Sequence, residues 1–303
     1  MNVAKMEVCG WGIYSDQFAN AADLTTTVQK LMGNSESTER AASTGDRPQS
    51  LFPDLDSAIH ALDEVSQHAF RALHEALSSA ETITPDRTAL LLLSNWGPMD
   101  NTVGFLNSML DADGRYASPR HFTRSVYSTV ASHAAIYFGI HGPCETLAHG
   151  QWPICCILDR AADLLASGHV DYVVACWADQ ASAIAKDLCR RSVVGLDRKE
   201  FSRFTCEETG YGAVAIVLKR IADASSGKVL LEIPNHTAAP AAMMAPGTKL
   251  KIHSFPTDSA VHLAVAIATA EAAAGIPPVQ YTETNSRGSA RTVRITSVPK
   301  TTM

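Results

Sequence analysis

Residues 118–179 read SPRHFTRSVYSTVASHAAIYFGIHGPCETLAHGQWPICCILDRAADLLASGHVDYVVACWAD. The end of this stretch places a helix directly before a buried strand. Trp152 to Ala166 carries a helical pattern. Pro153 suits its first turn, where a missing N–H is no loss, and Gly168 stands just past its end. Tyr172-Val-Val-Ala-Cys176 is then apolar without alternation, as a strand is when helices cover both of its faces.

The same pairing recurs on either side. Thr88-Ala-Leu-Leu-Leu-Leu93 and Ala213-Val-Ala-Ile-Val-Leu218 are further continuous apolar runs. Across residues 58–77, Ile59, Leu62, Val65, Ala69, Leu73 and Ala76 fall three or four apart and form one helical stripe. Thr257 or Asp258 can cap a helix that runs to Ala274, where Gly275 and Pro277 stop it. That helix is apolar nearly all round and is expected to be buried. Alternating strands and helices specify an α/β layered fold. Gly10-Trp11-Gly12 reads as a turn after the first strand, and residues 33–49 and 235–248 read as loops.

Composition narrows the function classes. The chain has 303 residues, 46% hydrophobic and 18% charged, with a net charge of −6. A basic surface for nucleic acid is not indicated, and neither is an anionic membrane partner. The N-terminus lacks the apolar core of a signal peptide. The most apolar stretch, 260–274, is too short to span a bilayer, which needs about 20 residues. A soluble, cytoplasmic chain is the expectation. The cysteines are Cys9, Cys144, Cys155, Cys156, Cys176, Cys189 and Cys206. Their odd number and the lack of a C-x-x-C pair argue against structural zinc and a disulfide framework. The sequence holds no G-x-x-x-x-G-K-[ST] and no G-x-S-x-G, and its eleven histidines form no metal-spaced cluster. No cofactor is expected.

The order of motifs in residues 118–179 resembles the nucleophile region of the β-ketoacyl-acyl-carrier-protein synthases. Ser118-Pro119 and Phe122 match that family's S-P-x-x-F, and Gly139-Ile-His-Gly-Pro143 its G-L-x-G-P turn. Ser167-Gly168, Asp171 and Asp179 match the segment after the nucleophile helix. Residues 3–15 are similar to the family's first strand and its G-x-G turn, and 201–218 to the stretch before its G-x-G-A strand. Residues 144–150 separate Pro143 from Gln151, which stands where the family keeps its reactive cysteine. A cysteine at a helix start is favoured as thiolate by the helix dipole. Glutamine is neutral and cannot take up an acyl group, though it offers hydrogen bonds. The other reading of Gln151 is a polar helix start without a role. Cys155, one turn further on, reads as a small core residue.

The resemblance implies a thiolase-like α-β-α-β-α fold, with residues 1–220 as the N-terminal half. Residues 221–303 would be a shortened C-terminal half. No H-G-T-x-T occurs, and Asn285-Ser-Arg-Gly288 lacks most of the glycines of the family's late N-S-F-G-F-G-G segment. His253 either takes the place of the family's second histidine or lies on the surface. By resemblance, the strand at about residues 145–149 (Glu145, Thr146, Leu147, Ala148, His149) lies at a two-fold interface. The resemblance is to a chain-length factor: a non-condensing subunit paired with an active synthase, served by acyl carrier protein, and shaping the acyl tunnel. Residues 101–110 read as a short helix whose Phe105, Leu106 and Met109 either close that tunnel or pack in the core. Arg190, Arg191, Arg198, Lys199 and Arg203 form either a solvated face or a carrier-protein contact. The rival functions are a malonyl decarboxylase or acyltransferase in its own right, and a carrier-protein scaffold.

Overall fold

The computed structural model describes residues 4–15, 18–31, 55–60, 62–80, 83–111, 115–148, 152–180, 182–184, 187, 204–206, 212–221, 229–233, 250–252, 256–272, 278–284 and 290–298. The strands are β1 (Ala4–Ser15), β2 (Thr88–Leu93), β3 (Cys144–Leu147), β4 (Tyr172–Asp179), β5 (Phe204–Cys206), β6 (Gly212–Arg220), β7 (Val229–Ile233), β8 (Leu250–Ile252), β9 (Val279–Thr284) and β10 (Ala290–Ser297). The helices are α1 (Ala21–Leu31), α2 (Leu55–Ile59), α3 (Glu64–Ser79), α4 (Met99–Asp111), α5 (Pro119–Ser125), α6 (Thr129–Phe138), α7 (Pro153–Ala166) and α8 (Pro256–Ala272). None of the described helices is long and apolar enough to cross a membrane.

Eight strands form one sheet in the order β3-β2-β4-β6-β1-β7-β10-β9, and β5 pairs with β8 separately. The three apolar runs foreseen as doubly covered strands are β2, β4 and β6. Every residue of β2 is buried. Alternate side chains enter two different cores, as the period-two geometry of a strand requires. Leu90, Leu92, Val174, Cys176 and Val217 pack with Ala69, Leu73 and Ala76 of α3 and Ala134 and Phe138 of α6. Leu91, Leu93, Ala175, Trp177 and Ile216 pack with Ile154, Ile157 and Leu158 of α7 and Leu263 and Ile267 of α8.

That second core also takes Leu231, Val293 and Ile295 from the far strands of the sheet. Five strand spacings separate β4 from β9, on the order of 24 Å in a flat sheet. Yet Trp177 of β4 donates its indole N–H to the Pro153 carbonyl (3.0 Å), while Glu283 of β9 accepts from the next two residues of the same helix turn. The sheet therefore folds over α7 and α8. Helix, strand, helix and strand layers follow one another: α3 and α6, then β3-β2-β4-β6-β1, then α7 and α8, then β7-β10-β9.

Two local expectations are corrected. The helical stripe of residues 58–77 is broken into α2 and α3. Asp63 interrupts it by capping α3, accepting the Ser66 N–H at 2.9 Å. Gly10 and Gly12 do not form a turn; both lie inside β1, beside a register shift between Val8 and Gly10. They are small because α3 crosses β1 there. A Cβ on Gly12 would sit 2.4 Å from the Ala72 carbonyl oxygen and 2.7 Å from the Ala76 nitrogen, both backbone atoms that cannot step aside. The expected loops 33–49 and 235–248 lie outside the described residues. Gly12→Ala is expected to destabilise the chain by about 1–3 kcal/mol, in the range of overpacked cores. Urea denaturation followed by circular dichroism checks this, with a lowered midpoint as the expected outcome.

Candidate functional site

The site is built at the start of α7, on the edge of the sheet to which β2, β3 and β4 all point their carboxyl ends. These three strands are mutually parallel in the order β3-β2-β4. In open α/β sheets that edge is where ligands sit. β3 is the terminal strand and pairs only with β2 within the described chain, so its other edge is unpaired by β-strand. Its residues Glu145, Thr146 and Leu147 are half-buried, and Ala148 just beyond is exposed. Arg160 of α7 holds Glu145 through two hydrogen bonds, one of them 2.8 Å from Nε, and keeps that carboxyl below its ordinary range. His149, Gln151 and His253 lie outside the described residues, as do the five cations of residues 190–203.

The head of α7 is closed by the second half of the chain. Glu283 is 6% exposed. Its Oε1 accepts the Ile154 N–H at 3.0 Å and its Oε2 the Cys155 N–H at 2.9 Å. Burial pushes the Glu283 carboxyl up, and the two N–H groups oppose this. Directly across the β9–β10 pair stands Arg291. It donates twice to Asp159 of α7 (2.7 and 3.0 Å), and its guanidinium lies 5.8 Å from the Trp152 ring centre. The thiols near this helix start are poor nucleophiles. Cys155 is fully buried, and burial with the Glu283 charge drives its pKa well above the ordinary thiol value. Burial raises Cys156 and Cys144 as well, helped by Asp159 and Glu145 respectively. None of these thiols has the low pKa of a reactive cysteine.

A second buried carboxylate stands at the end of β4. Asp179 accepts from Ser94 Oγ (2.6 Å) and from the backbone N–H groups of Trp96 (3.2 Å) and Asn95 (3.5 Å). Tyr127 donates its hydroxyl to the Asn95 carbonyl at 2.8 Å. Together these bonds fix the turn that launches α4, in which Gly97 has φ of +57°. Complete burial pushes the Asp179 carboxyl up to about 7, against the hydrogen bonds that lower it.

Helix α4 is unusual in having no buried residue. It packs on α5, where Phe105 and Phe122 meet at 5.3 Å between ring centres. Leu106 is 50% exposed and Leu110 76%. Phe105 is half-buried and Met109 exposed. Phe122 of α5, Val126 and Tyr127 of the turn after it, and Ile136 of α6 are exposed as well. Among the described residues, no three His, Cys, Asp or Glu side chains are placed to hold a metal.

Sequence reasoning missed Glu283 and Arg291. Both were legible in strand alternation: Glu283 shares a face with Val279 and Tyr281, and Arg291 with the buried Val293 and Ile295. A charge in an inward register calls for a buried partner. Asp179 was noted as part of a motif, without its role at the turn.

No protein-family model matches the sequence, and neither does any curated protein. Solved structures do match. The ishigamide ketosynthase/chain length factor superposes with a TM-score of 0.64 at 15% identity, over 97% of this chain and 99% of that one. A type II PKS acyl-carrier protein in complex with its ketosynthase bound to the hexaketide gives 0.65 at 12% identity, over 97% and 100%. A ketosynthase in complex with its chain length factor from Xenorhabdus doucetiae gives 0.60 at 14%, over 96% and 99%. The chain thus has the thiolase-like fold of the ketosynthases and chain length factors.

Asp179 supplies a pH test. Its folded pKa of about 7 lies above the ordinary 3.8, so the folded chain holds this proton more tightly than the unfolded one. Its contribution favours folding fully below pH 3.8 and is lost as pH rises through 7. The urea midpoint is therefore expected to fall between pH 5 and pH 8. Asp179→Asn should flatten that part of the slope, and an unchanged slope in the variant would assign the effect to other groups.

Proposed function

We propose that the chain is a non-condensing, chain-length-factor-like subunit. In this reading it pairs in the cytoplasm with an active β-ketoacyl synthase, receives acyl carrier protein and helps shape the acyl tunnel of polyketide or fatty acyl synthesis. The observation that carries the proposal is the set of exposed apolar side chains on α4, α5 and α6, helices packed in sequence on one another, with α6 against the edge strand β3. Exposed apolar side chains gathered on neighbouring helices suit an interface, and each Leu or Phe covered there is worth about 1.5–3 kcal/mol. Solved structures of the same fold, described as ketosynthase with chain length factor, support this choice of partner.

The chemistry agrees. Gln151 offers no nucleophile, and the cysteines nearest to it have raised pKa values. A decarboxylase or acyltransferase in its own right lacks an activated group among the described residues. Residues 1–220 would form the half that meets the partner, and 221–303 the abbreviated half that completes the core. Leu106 and Met109, with Phe105 beside them, would form the wall at which a growing chain stops. The terminal strand, Glu145 to Ala148 and on through His149, would lie against the partner. His253 is left without an assigned role.

Two outcomes test this reading. Incubation of the chain with acyl-carrier protein should leave its intact mass unchanged; a stoichiometric acyl adduct on Cys144, Cys155 or Cys156 would overturn it. In the reconstituted assembly, Phe105→Ala, Leu106→Ala or Met109→Ala should lengthen the product by whole two-carbon units, while Leu106→Trp should shorten it. A one-methylene change in a close-packed wall costs about 1–3 kcal/mol, which at about 1.4 kcal/mol per factor of ten shifts a product ratio about tenfold or more. Product mass is the measurement, and an unchanged product from normally assembled variants would remove this helix from the tunnel.

A further inference from the structure

Residues 114–144 contain no Asp or Glu, although the whole chain carries 31 acidic residues against 25 basic ones. This acid-free segment builds α5 and α6, and it holds Arg115, Arg120 and Arg124. Arg115 and Arg120 are exposed, and Arg124 is half-buried. Elsewhere Arg71, Arg87, Arg160, Arg291 and Arg294 each lie against a carboxylate: Asp56, Asp171, Glu145, Asp159 and Glu232 in turn. Among the described residues, no acceptor bonds the guanidinium group of Arg115, Arg120 or Arg124.

The placement is unfavourable within the chain. Arg120 and Arg124 are one turn apart and share a face of α5, where like charges repel. Arg120 also stands in the first turn, where the helix dipole disfavours a cation and no acidic residue offsets it. A local rule broken without compensation inside the molecule is expected at a functional surface. The same segment exposes Tyr116, Phe122, Val126, Tyr127 and Ile136. Arginine and aromatic side chains together, with acids absent, are the composition of a protein interface.

We infer that residues 115–136 meet a carboxylate-bearing face of the partner protein, with Arg115, Arg120 and Arg124 as the charged contacts. The inference rests on the reading of the chain as the partner of an active synthase, and it adds the chemistry of the surface which that synthase must present. An anionic membrane would be repelled by the rest of a chain of net charge −6, whereas carboxylates on a protein face can be matched to this segment alone. Charges matched in this way speed the encounter and exclude partners that lack them.

The test is a competition for a limiting amount of the active synthase. Wild-type chain and one variant of different mass are co-expressed with it. Native mass spectrometry reads which heterodimers form, normalised to the amount of each chain made. Arg115→Glu and Arg120→Glu should each lose to the wild type by about ten to one, and Arg115→Gln and Arg120→Gln by a smaller factor. Arg120→Glu removes the conflict with the helix dipole, so its loss would not reflect a weakened helix. Lys30→Glu, the same change of charge on α1, which packs on α8 and β1, should compete evenly. Even competition by both arginine-to-glutamate variants would overturn the inference. So would equal displacement of Lys30→Glu, because net charge would then be the cause. Flotation of the full chain with phosphatidylglycerol vesicles, lost in the arginine variants, would assign these cations to a membrane and overturn it too. If the wild-type chain itself forms no heterodimer, the pairing fails and the inference with it, an outcome told apart because no chain is then captured. If a glutamate variant does not fold, the glutamine variants decide.

Discussion

The fold is held together where one cross-strand pair, Glu283 and Arg291, grips the first two turns of α7. Glu283 supplies the cap that the sequence at 152–155 cannot supply itself. Trp152 sits at the N-cap position and makes no side-chain capping bond, and Pro153 follows it. Arg291 adds the bond to Asp159 one turn on. Both residues come from the last hairpin of the chain, and α7 comes from its middle. The interaction therefore fastens the folded-over end of the sheet to its beginning. Glu283 itself is buried, where an unpaired carboxylate would be costly and a paired one fixes a single geometry.

This closure has a chemical consequence. The start of α7 is a structural joint, and the N–H groups of Ile154 and Cys155 are occupied there. Among the described residues, the outer edge of β3 pairs with no strand, and exposed apolar side chains gather on α4, α5 and α6. Asp179 supports the base of α4. It anchors the turn at residues 94–97 to the end of β4, so α4 is carried on a rigid base although none of its own residues is buried. A helix presented in this way is suited to contact with another protein.

Much of the layer order was legible because continuous apolar runs have one simple cause. β2, β4 and β6 are covered on both faces, and their middles, residues 89–93, 173–178 and 213–218, are apolar throughout. The helix break at Asp63 was hidden by a stripe that continues in phase through Leu62 and Val65. Gly10 and Gly12 were misread because a turn and a close helix crossing ask for the same residue. On α4, the spacing of Val103, Leu106 and Leu110 shows that a face is apolar, but not what covers it. The charged joint escaped for a different reason. Its two halves are more than a hundred residues apart, and only the folded sheet brings Glu283 to Ile154.

The central claim is that this chain is completed by an active synthase and does not act alone. Native mass spectrometry of the chain co-expressed with each active β-ketoacyl synthase of the same genome tests that claim most directly. The account predicts a 1:1 heterodimer, with the chain poorly soluble or self-associated when the synthase is left out. A stable, well-behaved monomer at micromolar concentration with no affinity for the synthase would contradict it.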